Sequence, residues 1–220
     1  RQMCIRDRGW GHAQADRLFR KIEHYEPGGE NRGKNGPMHL EEVAERFPVS
    51  DAFLRAAQED GQPLNADYNS GDQEGVGYYQ VLQHRGRRWS VVDGYMKPAA
   101  GRDNLKVECG AHVTRLLFEG KRCVGVAYRQ NGQEHTVRAR RETVLCLGAV
   151  QSPQLLELSG VGDPARLQSF NIPLVHAHAQ VGENYIDHFA TRMNWRVKNA
   201  VTLNEMSRGW RLAQQVARYY

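Results

Sequence analysis

One stretch constrains the fold of this chain more than any other: residues 142–162, Glu-Thr-Val-Leu-Cys-Leu-Gly-Ala-Val-Gln-Ser-Pro-Gln-Leu-Leu-Glu-Leu-Ser-Gly-Val-Gly. Residues 143–147 form a short, nearly continuous apolar run stopped by Gly148, the pattern of a buried strand. Ser152 is expected to cap a helix, with Pro153 at its first position, where a missing N–H costs nothing. Leu155, Leu156 and Leu158 supply an apolar helix face. Gly160 and Gly162 can take the left-handed geometry that ends it. Strand, small-residue turn and capped helix together are a building unit of α/β proteins. Gly148 and Ala149 leave room beside the backbone, and the helix start offers unpaired N–H groups and the positive end of the dipole. On these residues alone, two readings stand: a cradle for the phosphates of a dinucleotide, or an ordinary β–α connection that binds nothing.

Around this stretch the chain reads as short helices, loops and hairpins. Leu18, Phe19 and Ile22 at helical spacing predict an amphipathic helix over 13–25. Residues 26–37, rich in Gly, Asn and Pro, read as loop. Ser50 is expected to cap a helix with Phe53, Leu54 and Ala57 inward, ended by Gly61. Residues 63–77 are loop-like, and 76–83 predict a strand. The basic run from His84 to Ser90 is either a solvated loop or a place where Arg88 orients a cofactor or loop. Ser90 and Asp93 predict a capping box for a helix over 91–97, closed by Pro98.

Leu105, Val107 and Cys109 alternate as in a strand. Val113, Leu116 and Phe118 precede a turn at Glu119-Gly120-Lys121. Cys123, Val124, Val126 and Tyr128 then lead to Asn131-Gly132, the strongest short hairpin signal, and a return strand over 136–140. The result is a β-meander placed just before the buried strand. Beyond Gly162 we expect a short helix over 164–170, an extended piece over 172–175, a turn at 181–184, a weak strand over 188–197 and an amphipathic helix over 205–220.

Composition excludes several classes. The chain has 220 residues, 40% hydrophobic and 25% charged, with a net charge of +5. It is ordinary globular material, large enough for a core. Basic residues are interspersed with acids, which argues against nucleic-acid binding. No apolar run approaches the roughly 18–20 residues of a membrane span, so no integral membrane segment is expected. Cys4, Cys109, Cys123 and Cys146 are widely spaced, which disfavours a zinc site or disulfide framework. Reduced, buried thiols fit a cytoplasmic protein. The histidines show no metal-ligand spacing.

The segment Gly148-Ala149-x-x-Ser152-Pro153-x-Leu155-Leu156-x-x-Ser159-Gly160-Val161-Gly162 resembles the second signature of the glucose–methanol–choline family of flavin oxidoreductases, with ten specified positions in 15 residues. The likeness extends over residues 17–220 and is nearest to choline dehydrogenase-like members. It includes Leu18-Phe19-Arg20-Lys21-Ile22-Glu23, Gly36-Pro37-Met38, Gly86-Arg87-Arg88-Trp89-Ser90, Phe118-Glu119-Gly120-Lys121-Arg122, Val124-Gly125-Val126, and Val181-Gly182-Glu183-Asn184 with Asp187-His188. Departures are Tyr185-Ile186 for the family's Leu-Gln, Ala179-Gln180 for its Pro-Gly, and Cys146-Leu147 for its small pair.

This resemblance implies an α/β fold, as an α+β piece: the central part of an FAD-binding fold with a β-meander plus pieces of the substrate domain. It implies FAD as cofactor and a small-molecule alcohol as substrate, oxidised by hydride transfer from carbon to flavin N5. Val113 falls where the family's main chain touches the adenine. Gly148, Ala149 and Ser152 fall beside the dinucleotide. Asn184, Asp187 and His188 read as structural. Residues 1–75 would belong to the substrate or cap domain, 76–182 to the central flavin domain and 183–220 to the start of the substrate domain.

Residues 1–8 do not resemble the family and read as an artefact of cloning or assembly. The family's Gly-x-Gly-x-x-Gly turn and its catalytic His have no counterpart here. No catalytic residue is therefore nominated, and an internal fragment without turnover is expected. The rival reading is a non-catalytic α/β binding or interaction module.

Overall fold

The computed structural model describes Gly9 and residues 11–219, apart from the side chain of Tyr219. The readings of residues 1–8, Cys4 included, and of Tyr220 lie outside the described residues. The chain forms two compact units. One takes in the residues up to Leu105 together with those from Asn194 onward; the other is Lys106–Met193.

In the first unit, helix α1 (His12–Ile22) forms where the apolar spacing predicts it. It gives way directly to strand β1 (Glu23–Tyr25), so the helix stops short of residue 25. Strand β2 (Met38–Glu42) pairs parallel to β1 and antiparallel to β3 (Gln80–Val81). Residues 26–37 are loop, as expected. A buried cation holds that loop in place. The guanidinium of Arg32 donates to both carboxylate oxygens of Glu23, at 2.7 and 3.1 Å, and to Asp67 at 2.5 Å. It also lies 4.1 Å over the Tyr25 ring.

Helix α2 (Pro48–Glu59) starts at Pro48, not at a Ser50 cap, and Ser50 sits inside its first turn. The fixed φ of proline is already helical, so the helix begins as soon as Pro48 allows. It ends at Gly61 with φ +90°. The strand expected over 76–83 is broken: β3 is followed by a small hairpin, β4 (Gln83–His84) with β5 (Arg87–Arg88), that takes up the basic run.

Half of the Ser90–Asp93 capping box forms: the carboxylate reaches back to the Ser90 N–H, while the Asp93 N–H bonds the Ser90 carbonyl and not its hydroxyl. The Ser90 N–H and hydroxyl both donate to Asp93 Oδ2, at 3.0 and 2.7 Å, and Lys97 holds Oδ1 at 2.6 Å. The pair opens a π-helical turn, Val92–Met96, that runs on through Lys97–Ala99, so Pro98 lies within the helical stretch instead of closing it. The expected terminal helix divides into Leu203–Met206 and Gly209–Tyr219. A Thr202–Glu205 capping box starts the first piece, and Gly209 at φ +56° begins the second.

The second unit is built on the predicted meander. Strands β6 (His112–Glu119), β7 (Arg122–Gln130) and β8 (Gln133–Arg138) are antiparallel in the order β6-β7-β8. Both turns fall where Gly120 and Asn131-Gly132 place them. Residues 105–109 are not a strand: no ladder partner reaches them among the described residues, and Leu105 and Val107 stay exposed. Helix α3 (Gly148–Leu158) packs on β6. Leu116, Val124, Ala127, Leu155 and, from helix α4 (Pro164–Ser169), Leu167 make the core. Strand β9 (Val161–Gly162) pairs parallel with β10 (His176–Ala177).

Further expectations in this unit are corrected. Residues 143–147 are irregular and form no ladder. Thr143 and Leu145 are half-buried, whereas Val144 and Cys146 face outward. A central strand needs hydrogen-bonding neighbours, and among the described residues none lies alongside. For the same reason Cys146, like Cys109, is exposed, not buried. Residues 188–197 are irregular, with Phe189 and Met193 exposed.

Candidate functional site

The bend at residues 147–149 is more abrupt than the capped helix start read from the residues. Gly148 has φ +84° and turns the chain straight into α3, so the helix begins before Ser152. Ser152 is therefore not an N-cap. It lies half-buried within the helix, with Pro153 beside it as an internal proline. Pro153 cannot donate to the Ala149 carbonyl. That carbonyl belongs to the first turn, where Ala149 is exposed and water can satisfy it.

The bend is open. A Cβ added at Gly148 would meet nothing within 4 Å, and Gly148, Ala149 and Val150 are all exposed. The first N–H groups of α3 have no intrahelical acceptors. Backbone donors, a positive dipole end and absent side-chain bulk therefore coincide at one place, which fits a diphosphate.

Gly160, at the other end of α3, shows the contrary case. Its φ is +86°, but a Cβ there would lie 2.4 Å from the Pro173 carbonyl oxygen. It ends the helix, as expected, and lets residues 173–176 close on it through Val175 and His176 N–H bonds to its carbonyl. Gly162 does not take the left-handed geometry; it is a residue of β9.

Val113 is half-buried on β6 opposite Tyr128. The ladder slips between Val113 and Arg115, a bulge that leaves main chain unpaired next to Val113 and re-aims the strand. Val113 and the Gly148 bend sit on two elements of one scaffold. Apolar packing of α3 on β6 joins those elements, and so does the buried Ser159 hydroxyl. It accepts from the Leu116 N–H at 2.8 Å and donates to the Leu155 carbonyl at 2.6 Å. The residues gave Ser159 no role beyond its place in the motif. A serine in the last turn of a helix, able to bond back four residues, was the available signal.

Beside these lies an apolar cleft lined by Leu116, Phe118, Thr143, Leu145, Leu156 and Val175. Arg166 ties α3 to the turn at 181–184, donating to Glu157 at 3.1 Å and Glu183 at 2.8 Å. Those two carboxylates hold its pKa above the usual value, Glu183 foremost. Asn184 takes φ +59°, Asp187 accepts from the His188 N–H, and all three residues 184, 187 and 188 are exposed.

The first unit carries a cluster that sequence reading did not find. His24, His39 and His84 stack at ring separations of 4.3 and 4.1 Å, and Trp89 stands edge-on to His39 and His84 at 5.0 and 5.1 Å. Burial lowers the His39 pKa, and the neighbouring imidazoles of His84 and His24 lower it further. Only strand pairing brings these histidines together, so no local pattern could announce them. Among the described residues, no group of three or more His, Cys, Asp or Glu is arranged to hold a metal ion, and no helix is long and apolar enough to cross a membrane.

Comparison with known proteins places this geometry in context. The GMC oxidoreductase family profile matches residues 6–190. Human mitochondrial choline dehydrogenase is 41% identical over 198 residues, covering 90% of this chain and 33% of that protein. The alcohol dehydrogenase [acceptor] of Pseudomonas putida is 39% identical over 183 residues, covering 81% and 33%. Among solved structures, pyridoxine 4-oxidase from Mesorbium loti superposes with a TM-score of 0.73 at 32% identity, over 78% of this chain and 34% of that one. An FAD-dependent oxidoreductase from Chaetomium thermophilum gives a TM-score of 0.72 at 26% identity, over 79% and 33%. The chain spans about a third of the length of the relatives it matches.

Proposed function

Because the chain belongs to the GMC oxidoreductase family, we propose that it forms the central part of an FAD-dependent enzyme that oxidises the CH–OH group of a small alcohol of the choline kind. The observation that carries this reading is the open, left-handed Gly148 bend at the head of α3. It is a cradle that a side chain would fill. In this reading the N–H groups after Gly148 hold the diphosphate, and Ala149 keeps the approach clear. Ser152, one turn further on, lines the helix face toward the cofactor. Main chain at the Val113 bulge meets the adenine, which explains how an apolar residue can serve a polar base. FAD, when bound, supplies the hydride acceptor for the alcohol carbon.

No residue of this chain is assigned to the proton transfer. The family's base lies in a segment without a counterpart here, and we propose that this chain alone has no turnover. Residues 76–182 serve the flavin side, and 1–75 and 183–220 the substrate side.

The exposed apolar residues Tyr185, Ile186, Phe189 and Met193 favour the competing reading, an interaction module. Purifying the complete protein that carries this segment decides between them. Flavin absorbance near about 450 nm, with heat stability that rises on adding FAD, is expected of the oxidoreductase. A colourless protein whose melting temperature ignores FAD rejects it in favour of the module.

A further inference from the structure

The Ser159 hydroxyl is 9% exposed as a residue and fully used. Its proton goes to the Leu155 carbonyl, inside its own helical segment, and its oxygen accepts the Leu116 N–H of β6. Strand β6 is an edge of the meander, so the Leu116 N–H on its free side would otherwise be a buried orphan. The bridge is directional, unlike the Leu116 and Leu155 packing around it, and a directional contact can fix an angle. Gly148 stands 11 positions before Ser159 along α3, which at 1.5 Å per residue puts the bend about 16 Å from this pivot. A tilt of about 5° at the pivot then moves the bend about 1.4 Å, beyond the roughly 0.5 Å that a working site tolerates.

We propose that Ser159 is a positioning residue. Its hydroxyl sets the angle between β6 and α3, and so places Val113 and the Gly148 bend for the flavin without touching it. This rests on the flavin reading above. It assigns to one side chain the geometry on which that reading depends.

The test uses the complete protein that carries this segment, in wild-type form and as Ser159→Ala, Ser159→Thr and Val124→Ala. Val124 is buried in β7 and makes no part of the bridge. FAD affinity, visible-region flavin circular dichroism and melting temperature are read for each. Ser159→Ala is expected to weaken FAD binding by about tenfold or more, the scale of an ångström-size misplacement, and to alter the flavin dichroism. Ser159→Thr, which keeps the hydroxyl, restores both. Val124→Ala lowers the melting temperature but leaves affinity and dichroism unchanged.

If Ser159→Ala does not fold, Ser159→Cys, with its poorly bonding thiol, is read in its place. Wild-type protein that binds no FAD overturns the proposed function, and this inference with it. Wild-type that binds while Ser159→Ala binds equally well overturns the inference alone. Equal losses in Ser159→Ala and Val124→Ala overturn it too, as a purely structural effect.

Discussion

Substituting alanine at the two glycines that bracket α3 separates a binding role from a folding one. Both are left-handed, Gly148 at φ +84° and Gly160 at +86°, so each substitution carries the steric cost of an L-residue there, about 1–2 kcal/mol. At Gly148 nothing more is added, because the new methyl meets no atom within 4 Å. At Gly160 the methyl would sit 2.4 Å from the Pro173 oxygen, 2.9 Å from Val175 Cγ2 and 3.1 Å from the Val175 nitrogen. Two of these are backbone atoms of the segment that hydrogen-bonds to Gly160. That segment must move, costing the Val175 and His176 bonds and the β9–β10 pairing. Unfolding Gly160→Ala in urea should therefore show a loss of about 4 kcal/mol or more, of the size reserved for core disruption. Gly148→Ala should lose only about 1–2 kcal/mol. FAD affinity should rank them the other way: Gly148→Ala loses it outright, while Gly160→Ala, where folded, keeps it. Equal destabilisation by the two substitutions, or undiminished FAD binding by Gly148→Ala, would falsify the argument that open space at the bend exists for a ligand.

Arg32→Met should destabilise the first unit by about 3–5 kcal/mol, because it leaves Glu23 and Asp67 without their buried cation; chemical denaturation that shows under about 1 kcal/mol contradicts this. Stability should also fall in mild acid. His39 binds a proton less readily folded than unfolded, for reasons of burial and of His84 and His24 nearby, with Glu41 and Glu26 offsetting only part. Its contribution is intact above the unfolded value of about 6.5 and is lost as pH drops through it toward the lowered folded value. His39→Gln should flatten that limb of a stability–pH curve. In alkali the sign reverses. Burial, then the bond to Glu42, pushes Tyr25 up to about 12, so stability is full below the unfolded value of about 10 and falls as pH rises through it. Tyr25→Phe should remove this dependence in the same assay. Thiol labelling should modify exposed Cys109 and Cys146 well before half-buried Cys123.

The features legible in the residues are those whose energetics are local. Asn131-Gly132 and Gly120 dictate the meander turns because so few residue types accept a positive φ there. The Ser90–Asp93 bond, likewise, joins partners three residues apart. Apart from the two helix starts, where a nearby Gly148 or Pro48 acts, the misplaced features depend on distant partners. The start of α3 shifted because Gly148 turns the chain earlier than a proline-led cap would. The apolar run over 143–147 has a strand's composition but, among the described residues, not a strand's neighbours. The histidine stack and the Arg32 network join residues that only sheet pairing and loop closure bring together.

From the sequence alone came the existence of the meander, the side-chain-poor bend and the family to which the chain belongs, since a motif is a pattern of residue types at fixed spacing. The tertiary structure decided that the bend is open while Gly160 is crowded, and that one buried hydroxyl spans β6 and α3. Two glycines with the same φ cannot be told apart by identity. What distinguishes them is the backbone that packs, or does not pack, against the missing Cβ, and that backbone comes from elsewhere in the chain.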